Sequence, residues 1–155
     1  MQRRTLLKRA APLLAIASTA TLPLVALATA PMVEIWKDPN CGCCQDWVKH
    51  LHQNGLATTV HDEGNAAART RLGIPAKLGS CHTGLVGGYA IEGHVPAREV
   101  KRPLKEMPRA VGLAVPGMPV GSPGMDGPAY GGQRDPYDVL LLLADGSTRV
   151  YQSYR

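Results

Sequence analysis

Apolar and polar positions change period several times along this chain, and each change marks an element. Val33-Glu34-Ile35-Trp36-Lys37 alternates and then breaks at Asp38-Pro39-Asn40, the pattern of a strand running into a loop. Behind Asn40, an N-cap type of residue, Trp47, Val48 and Leu51 recur at helical spacing with His52 beside them, and Gly55 stops the run. Residues 56–61 read as a second strand. The alanine-rich stretch 65–72 reads as a second, short helix closed by Gly73, which Ile74-Pro75 cannot prolong. Residues 83–86 and 89–91 flank Gly87-Gly88, a two-residue hairpin signal. Pro96 then opens a helix that runs to about residue 106, with Val100, Leu104 and Met107 on one side and Pro103 as an awkward interior residue.

From 108 to 136 the chain is loaded with Gly and Pro and has no apolar periodicity, which predicts a long loop. A loop of that length inside a compact domain usually has a function or a partner. Residues 137–143 and 148–151 close the chain as a hairpin around Asp145-Gly146, the first strand apolar throughout and so buried on both faces. Strand, helix, strand, helix, hairpin, helix implies a mixed sheet covered by helices. With cysteines between the first strand and first helix, the expectation is an α/β, thioredoxin-like three-layer mixed sheet with an added C-terminal hairpin and a long Gly/Pro loop.

At 155 residues the chain suits one domain. Its net charge of +5 suggests a basic surface. That charge is misplaced, because Arg3, Arg4, Lys8 and Arg9 lie in the first thirty residues, and without them 13 basic residues face 12 acidic ones. The remainder has no electrostatic footprint for nucleic acid, which is excluded as a partner. Gln2-Arg3-Arg4-Thr5-Leu6-Leu7-Lys8 precedes a long Ala/Leu run that closes with Ala26-Leu27-Ala28 and Ala28-Thr29-Ala30. Residues 1–30 therefore read as a twin-arginine export signal, with Gln2 and Leu6 departing from its commonest residues, and 31–155 as the exported domain. The alternative is an uncleaved anchor, since 10–30 matches the roughly 20 residues that span a bilayer. Cleavage after Ala28 is preferred to cleavage after Ala30, where Pro31 would follow the cut. A cleaved chain is periplasmic and free of the membrane, in a compartment that permits disulfides.

Four cysteines there could form two bridges, but Cys41, Cys43 and Cys44 lie too close together for two well-separated staples. Cys41 and Cys44, one helical turn apart, share a face and can hold one metal or one disulfide, while Cys43 is expected to point elsewhere. Three thiolates diverging from a tight turn suit a multinuclear site in which sulfur bridges cations. The helix N-terminus favours thiolate over thiol at this position. Cys81 precedes the hairpin, where a fourth sulfur could arrive, and His82 is a candidate second ligand; His94 ranks below it. His50, His52 and His61 read as solvated or structural. Met118 and Met125 lie in the Gly/Pro loop instead of a core, where thioethers are soft ligands that do not titrate; the alternative is a loop anchor. Thiolate with thioether selects Cu(I) over Zn(II), zinc remains an alternative with Cys and His alone, and carboxylate clusters for Mg or Ca are absent.

Four ordered motifs carry a resemblance: Asp38-Pro39-Asn40-Cys41-Gly42-Cys43-Cys44, Ser80-Cys81-His82-Thr83, Ile91-Glu92-Gly93-His94-Val95-Pro96, and the stretch from Gly112-Leu113-Ala114 through Val115-Pro116-Gly117-Met118 to Ser122-Pro123-Gly124-Met125. Together they resemble the periplasmic copper-resistance CopG-type family, distinct from the ribbon-helix-helix repressors that share the name. The resemblance implies a thioredoxin-like domain that binds more than one copper through bridging sulfur of Cys41, Cys43, Cys44 and Cys81, with His82, Met118 and Met125 as further ligands. It also implies a part in copper tolerance, by interconverting Cu(I) and Cu(II). A periplasmic copper efflux or oxidase protein is the expected partner. Two other readings stand beside it: a thiol-disulfide oxidoreductase built on Cys41-Gly42-Cys43-Cys44, and a chaperone that hands copper on through the flexible loop.

Overall fold

The alternating segment becomes strand β1 (Met32–Lys37) in a computed structural model of the chain, which describes residues 30–155. The expected export signal lies outside the described residues apart from Ala30. Helix α1 (Gly42–Gln53) follows, capped by Cys41 and not by Asn40, whose backbone N–H instead closes a turn onto Asp38 Oδ1 at 2.8 Å. Next come β2 (Ala57–His61), α2 (Ala66–Arg71) behind Asn65, and the hairpin of β3 (His82–Val86) and β4 (Tyr89–Glu92). Helix α3 (Ala97–Glu106) starts at Pro96 and accommodates Pro103 in its last turns.

The 108–136 stretch is not all loop. Gly112–Ala114 forms strand β5, and Pro128–Tyr130 makes a 3-10 turn; a second such turn, Ala76–Leu78, follows α2. Strands β6 (Tyr137–Leu142) and β7 (Thr148–Tyr154) close the chain, β7 reaching three residues past the expected end. The seven strands form one mixed sheet in the order β2-β1-β3-β4-β5-β6-β7. β1 runs parallel to β2 and antiparallel to β3, while β4 and β5 are parallel, joined through α3. Gly112 makes the β4/β5 contact possible, because a Cβ there would fall 1.8 Å from Ala90 O.

Alternate side chains leave the sheet on opposite faces, so both must be covered. Val33, Ile35, Ile91, Leu113 and Leu141 pack in one cluster with Trp47 and Leu51 of α1 and Val100 of α3. Ala90, Ala114 and Leu142 form a smaller cluster with Ile74 and Leu78, against which Leu72 packs at the end of α2. The architecture is mixed α/β with helices serving both core clusters. Among the described residues no helix is long and apolar enough to cross a membrane.

Candidate metal centre

The cysteine trio sits where β1 hands over to α1. Trp47 and Leu51 bury one stripe of the helix and thereby fix which way its first turn faces. Trp47 Nε1 also donates to Val95 O at 2.8 Å, tying the helix to the segment that follows β4. Cys41 and Cys44 share a disulfide with their Cα atoms 5.3 Å apart, and Cys43 and Cys81 are free. Cys43 does not point away as expected. Its Sγ lies 3.5 Å from Cys41 Sγ and 3.8 Å from Cys81 Sγ, so it stands between the helix start and the fourth cysteine.

Cys81 is delivered by a buried polar network. The Glu92 carboxylate, fully buried on β4, accepts from Ser80 N at 2.6 Å, Thr83 Oγ1 at 2.6 Å and Arg69 Nε at 2.8 Å. Arg69 and Asn65, on or beside α2, also donate to Ser80 O. Both backbone polar groups of Ser80 are thus tied to β4 or to α2 and its cap. Burial pushes the Glu92 carboxyl above the ordinary carboxylate range, against the downward pull of Thr83, Ser80 and Arg69.

The hairpin supplies a residue that sequence reasoning ranked too low. β3 and β4 pair Thr83 with Glu92, and continuing that register outward puts Cys81 opposite His94. The Gly87-Gly88 turn had already set this register. His94 Nε2 lies 3.1 Å from Cys81 Sγ, closer than His82 Nδ1 at 3.4 Å. His94 Nδ1 is 2.8 Å from Pro123 O. A carbonyl only accepts, so Nδ1 carries the proton and Nε2 presents its lone pair to the sulfur. Burial lowers the His94 pKa, which keeps the ring neutral and able to ligate.

His82 is fully buried against Trp47, ring centroids 4.2 Å apart, and its Nε2 has no hydrogen-bond partner. Burial first, and the neighbouring His94 second, hold its pKa well below the usual imidazole value. The Cys81 thiol moves the other way: burial, followed by the nearby Cys43, pushes it up to about 12. Cys81 lies outside α1 and gains nothing from the helix terminus; a cation held there would supply the attraction that favours its thiolate. His50, His52 and His61 are structural as expected: His50 Nε2 accepts from Ala97 N at 3.0 Å, and the other two pair with Thr58 and Glu34.

The Gly/Pro stretch after β5 lies over the site as a strap. Gly117 O accepts a hydrogen bond from Ser80 Oγ at 2.5 Å, which places Met118 next to the Cys81 approach, 52% exposed. Met125 is buried, its Sδ accepting from Tyr130 Oη at 3.2 Å, the behaviour of a loop anchor. Gly124 between them has φ +88°, and a Cβ there would fall 2.5 Å from Cys43 O and 2.9 Å from Trp47 N. Gly124→Ala is therefore expected to lift the strap. Backbone strain of about 1–2 kcal/mol adds to the overlap, and accelerated amide hydrogen exchange at 119–126 with an altered His94 imidazole NMR signal checks it.

The donor atoms of Cys41, Cys43, Cys44 and Cys81 all lie within 4.8 Å of one another, and so do those of Cys81, His82 and His94. Cys81 belongs to both groups. Sulfur with imidazole suits a soft or borderline cation, and His82 turns Nδ1 toward Cys81 Sγ while Nε2 stays unpartnered in the core. Fold and site together define an α/β protein with a thiol-rich centre able to hold metal.

Comparison with known proteins gives that class its family. Residues 78–125 match a family model described as a protein of unknown function, DUF411, a span that holds Cys81, His82, His94, Met118 and Met125. No curated protein matches the chain significantly. The solved structure titled copper resistance protein CopG, form 2, is 46% identical, covering 81% of this chain and 99% of its own, with a TM-score of 0.75. Form 1 of the same protein is 47% identical over 79% of this chain and 96% of its own, with a TM-score of 0.73. The chain belongs to the CopG-type copper resistance family.

Proposed function

We propose that this chain is a periplasmic copper-binding protein of copper resistance, which holds more than one copper ion through bridging sulfur and interconverts Cu(I) and Cu(II). The observation that carries the reading is the gathering of four cysteine sulfurs from two distant stretches within 4.8 Å. Cys41, Cys43, Cys44 and Cys81 supply thiolate, His82 and His94 supply imidazole beside Cys81, and the strap offers thioether from Met118, and from Met125 once its sulfur leaves Tyr130 Oη. A sulfur already spent in a disulfide bridges metal poorly, so the Cys41–Cys44 bond has to be reduced before the full set can act. Residues 1–30 serve as a twin-arginine export signal, and a periplasmic efflux or oxidase protein is the partner for the copper. The β1-α1-β2 unit, the β3-β4 hairpin and α3 are read as a thioredoxin-like three-layer frame extended by β5, β6 and β7.

Anaerobic titration of the reduced protein with Cu(I) against a competing chelator tests the metal reading. More than one tightly held copper per chain is expected, and fewer than one ends it. A second reading, thiol-disulfide oxidoreductase, is favoured by the Cys41–Cys44 bond at a helix start. Metal-free insulin reduction that disappears in Cys41→Ser would favour that enzyme instead.

A further inference from the structure

The four cysteines divide into two kinds, and the division points to where electrons for copper chemistry come from. Cys41 and Cys44 are bonded to each other, while Cys43 and Cys81 stay free with their sulfurs 3.8 Å apart. The bonded pair lies within one turn of α1, its Cα separation of 5.3 Å inside the usual disulfide range, so the bond closes locally. The free pair joins α1 to the approach to β3. With the bond closed, Cys81 keeps its contacts with Cys43 Sγ, His82 Nδ1 and His94 Nε2. The oxidised chain therefore retains two sulfurs and two imidazoles, a donor set suited to Cu(I).

We infer that the Cys41/Cys44 dithiol is the electron donor for cupric ion at this site, and that Cys43, Cys81, His82 and His94 receive the cuprous product. The inference rests on the copper-binding reading above and adds an electron source to it. Two Cu(II) each take one electron; the two thiols lose two electrons and two protons and form the S–S bond; two Cu(I) and two H⁺ result. Cys43 Sγ, 3.5 Å from Cys41 Sγ and 3.8 Å from Cys81 Sγ, is the member of the receiving group beside the donor pair, so an ion it holds is close to both. Reopening the bond takes two electrons from an external dithiol, which itself becomes a disulfide. The cysteine pair thus makes the chain a stoichiometric cupric reductase that a thiol reductant can recharge.

The test uses the purified protein, fully reduced, under anaerobic conditions. Added Cu(II) is expected to yield about two Cu(I) per chain, trapped by a Cu(I)-specific chelator, while the thiol count falls by about two, as a two-electron couple requires. Differential alkylation and peptide mapping should locate the new bond at Cys41–Cys44. Protein oxidised beforehand should give no Cu(I) from Cu(II), yet bind Cu(I) supplied directly, a comparison that needs no folded variant. Cys44→Ser should lose the Cu(II)-reducing capacity. A new bond mapped to Cys43–Cys81 or between chains, or unchanged thiols after Cu(II) addition, overturns the inference. If Cu(I) still binds in that event, the copper-binding reading survives; failure of direct Cu(I) titration sinks that reading separately.

Discussion

Cys81→Ser is expected to weaken Cu(I) binding to the reduced protein by at least about 100-fold, the upper end of what losing a ligand-supporting contact costs. The reason is position. Cys81 is the one residue common to the four-sulfur group and the sulfur-imidazole group, so its loss removes a member from both. Hydroxyl oxygen is a hard donor and cannot take the place of sulfur toward Cu(I). Competition titration with a Cu(I) chelator reads the change directly. Cys43→Ser should cost less affinity but should lower the number of coppers bound, because it removes the sulfur standing between Cys41 and Cys81. Equal affinity of Cys81→Ser and wild type would mean that the trio at the helix start holds the metal by itself.

The largest expected effect on stability belongs to Glu92. Glu92→Ala strips the acceptor from Ser80 N–H, Thr83 Oγ1 and Arg69 Nε in one step. Each buried donor left unpaired costs about 1–3 kcal/mol, and breaking a buried ion pair from one side costs about 3–5 kcal/mol in all. Urea unfolding of the metal-free protein measures it. Glu92→Gln preserves the side chain's shape and an acceptor, and it isolates the charge. Because burial raises the folded carboxyl above its unfolded value, the folded state binds that proton more tightly. The contribution to stability is then full below the unfolded pKa and is lost as pH rises through the folded one. Glu92→Gln should flatten that fall; an unchanged pH profile would show that Glu92 carries the same charge folded and unfolded.

The strands and helices most legible in the chain are those whose side-chain period is unbroken. The alternation at 33–37, the helical repeat of Trp47, Val48 and Leu51, and the Gly87-Gly88 turn each fixed an element locally. Strand β5 escaped because three residues are too few to set a period and the Gly/Pro-rich sequence after it dominates the composition. Its identity is decided by neighbours, with Leu113 facing one core cluster and Ala114 the other. The same contrast holds at the site. Cysteine spacing announced the trio, but the direction of Cys43 depends on where Cys81 lands. His94 was underrated although the hairpin register encoded its place opposite Cys81. Nothing local in Glu92 advertised the network around Ser80, which exists only once α2, β3 and β4 meet.

The centre is stitched from stretches far apart in sequence: the start of α1, the approach to β3, the turn after β4, and the strap that follows β5. A growing chain that has passed only α1 owns three neighbouring sulfurs but neither the fourth nor either imidazole. On the copper-binding reading proposed above, full affinity is then acquired late, when the sheet closes, and an unfinished or misfolded copy competes poorly for the ion. Contacts so long-range also form slowly. On that reading, capture of metal certifies that the chain has folded at least as far as the strap after β5.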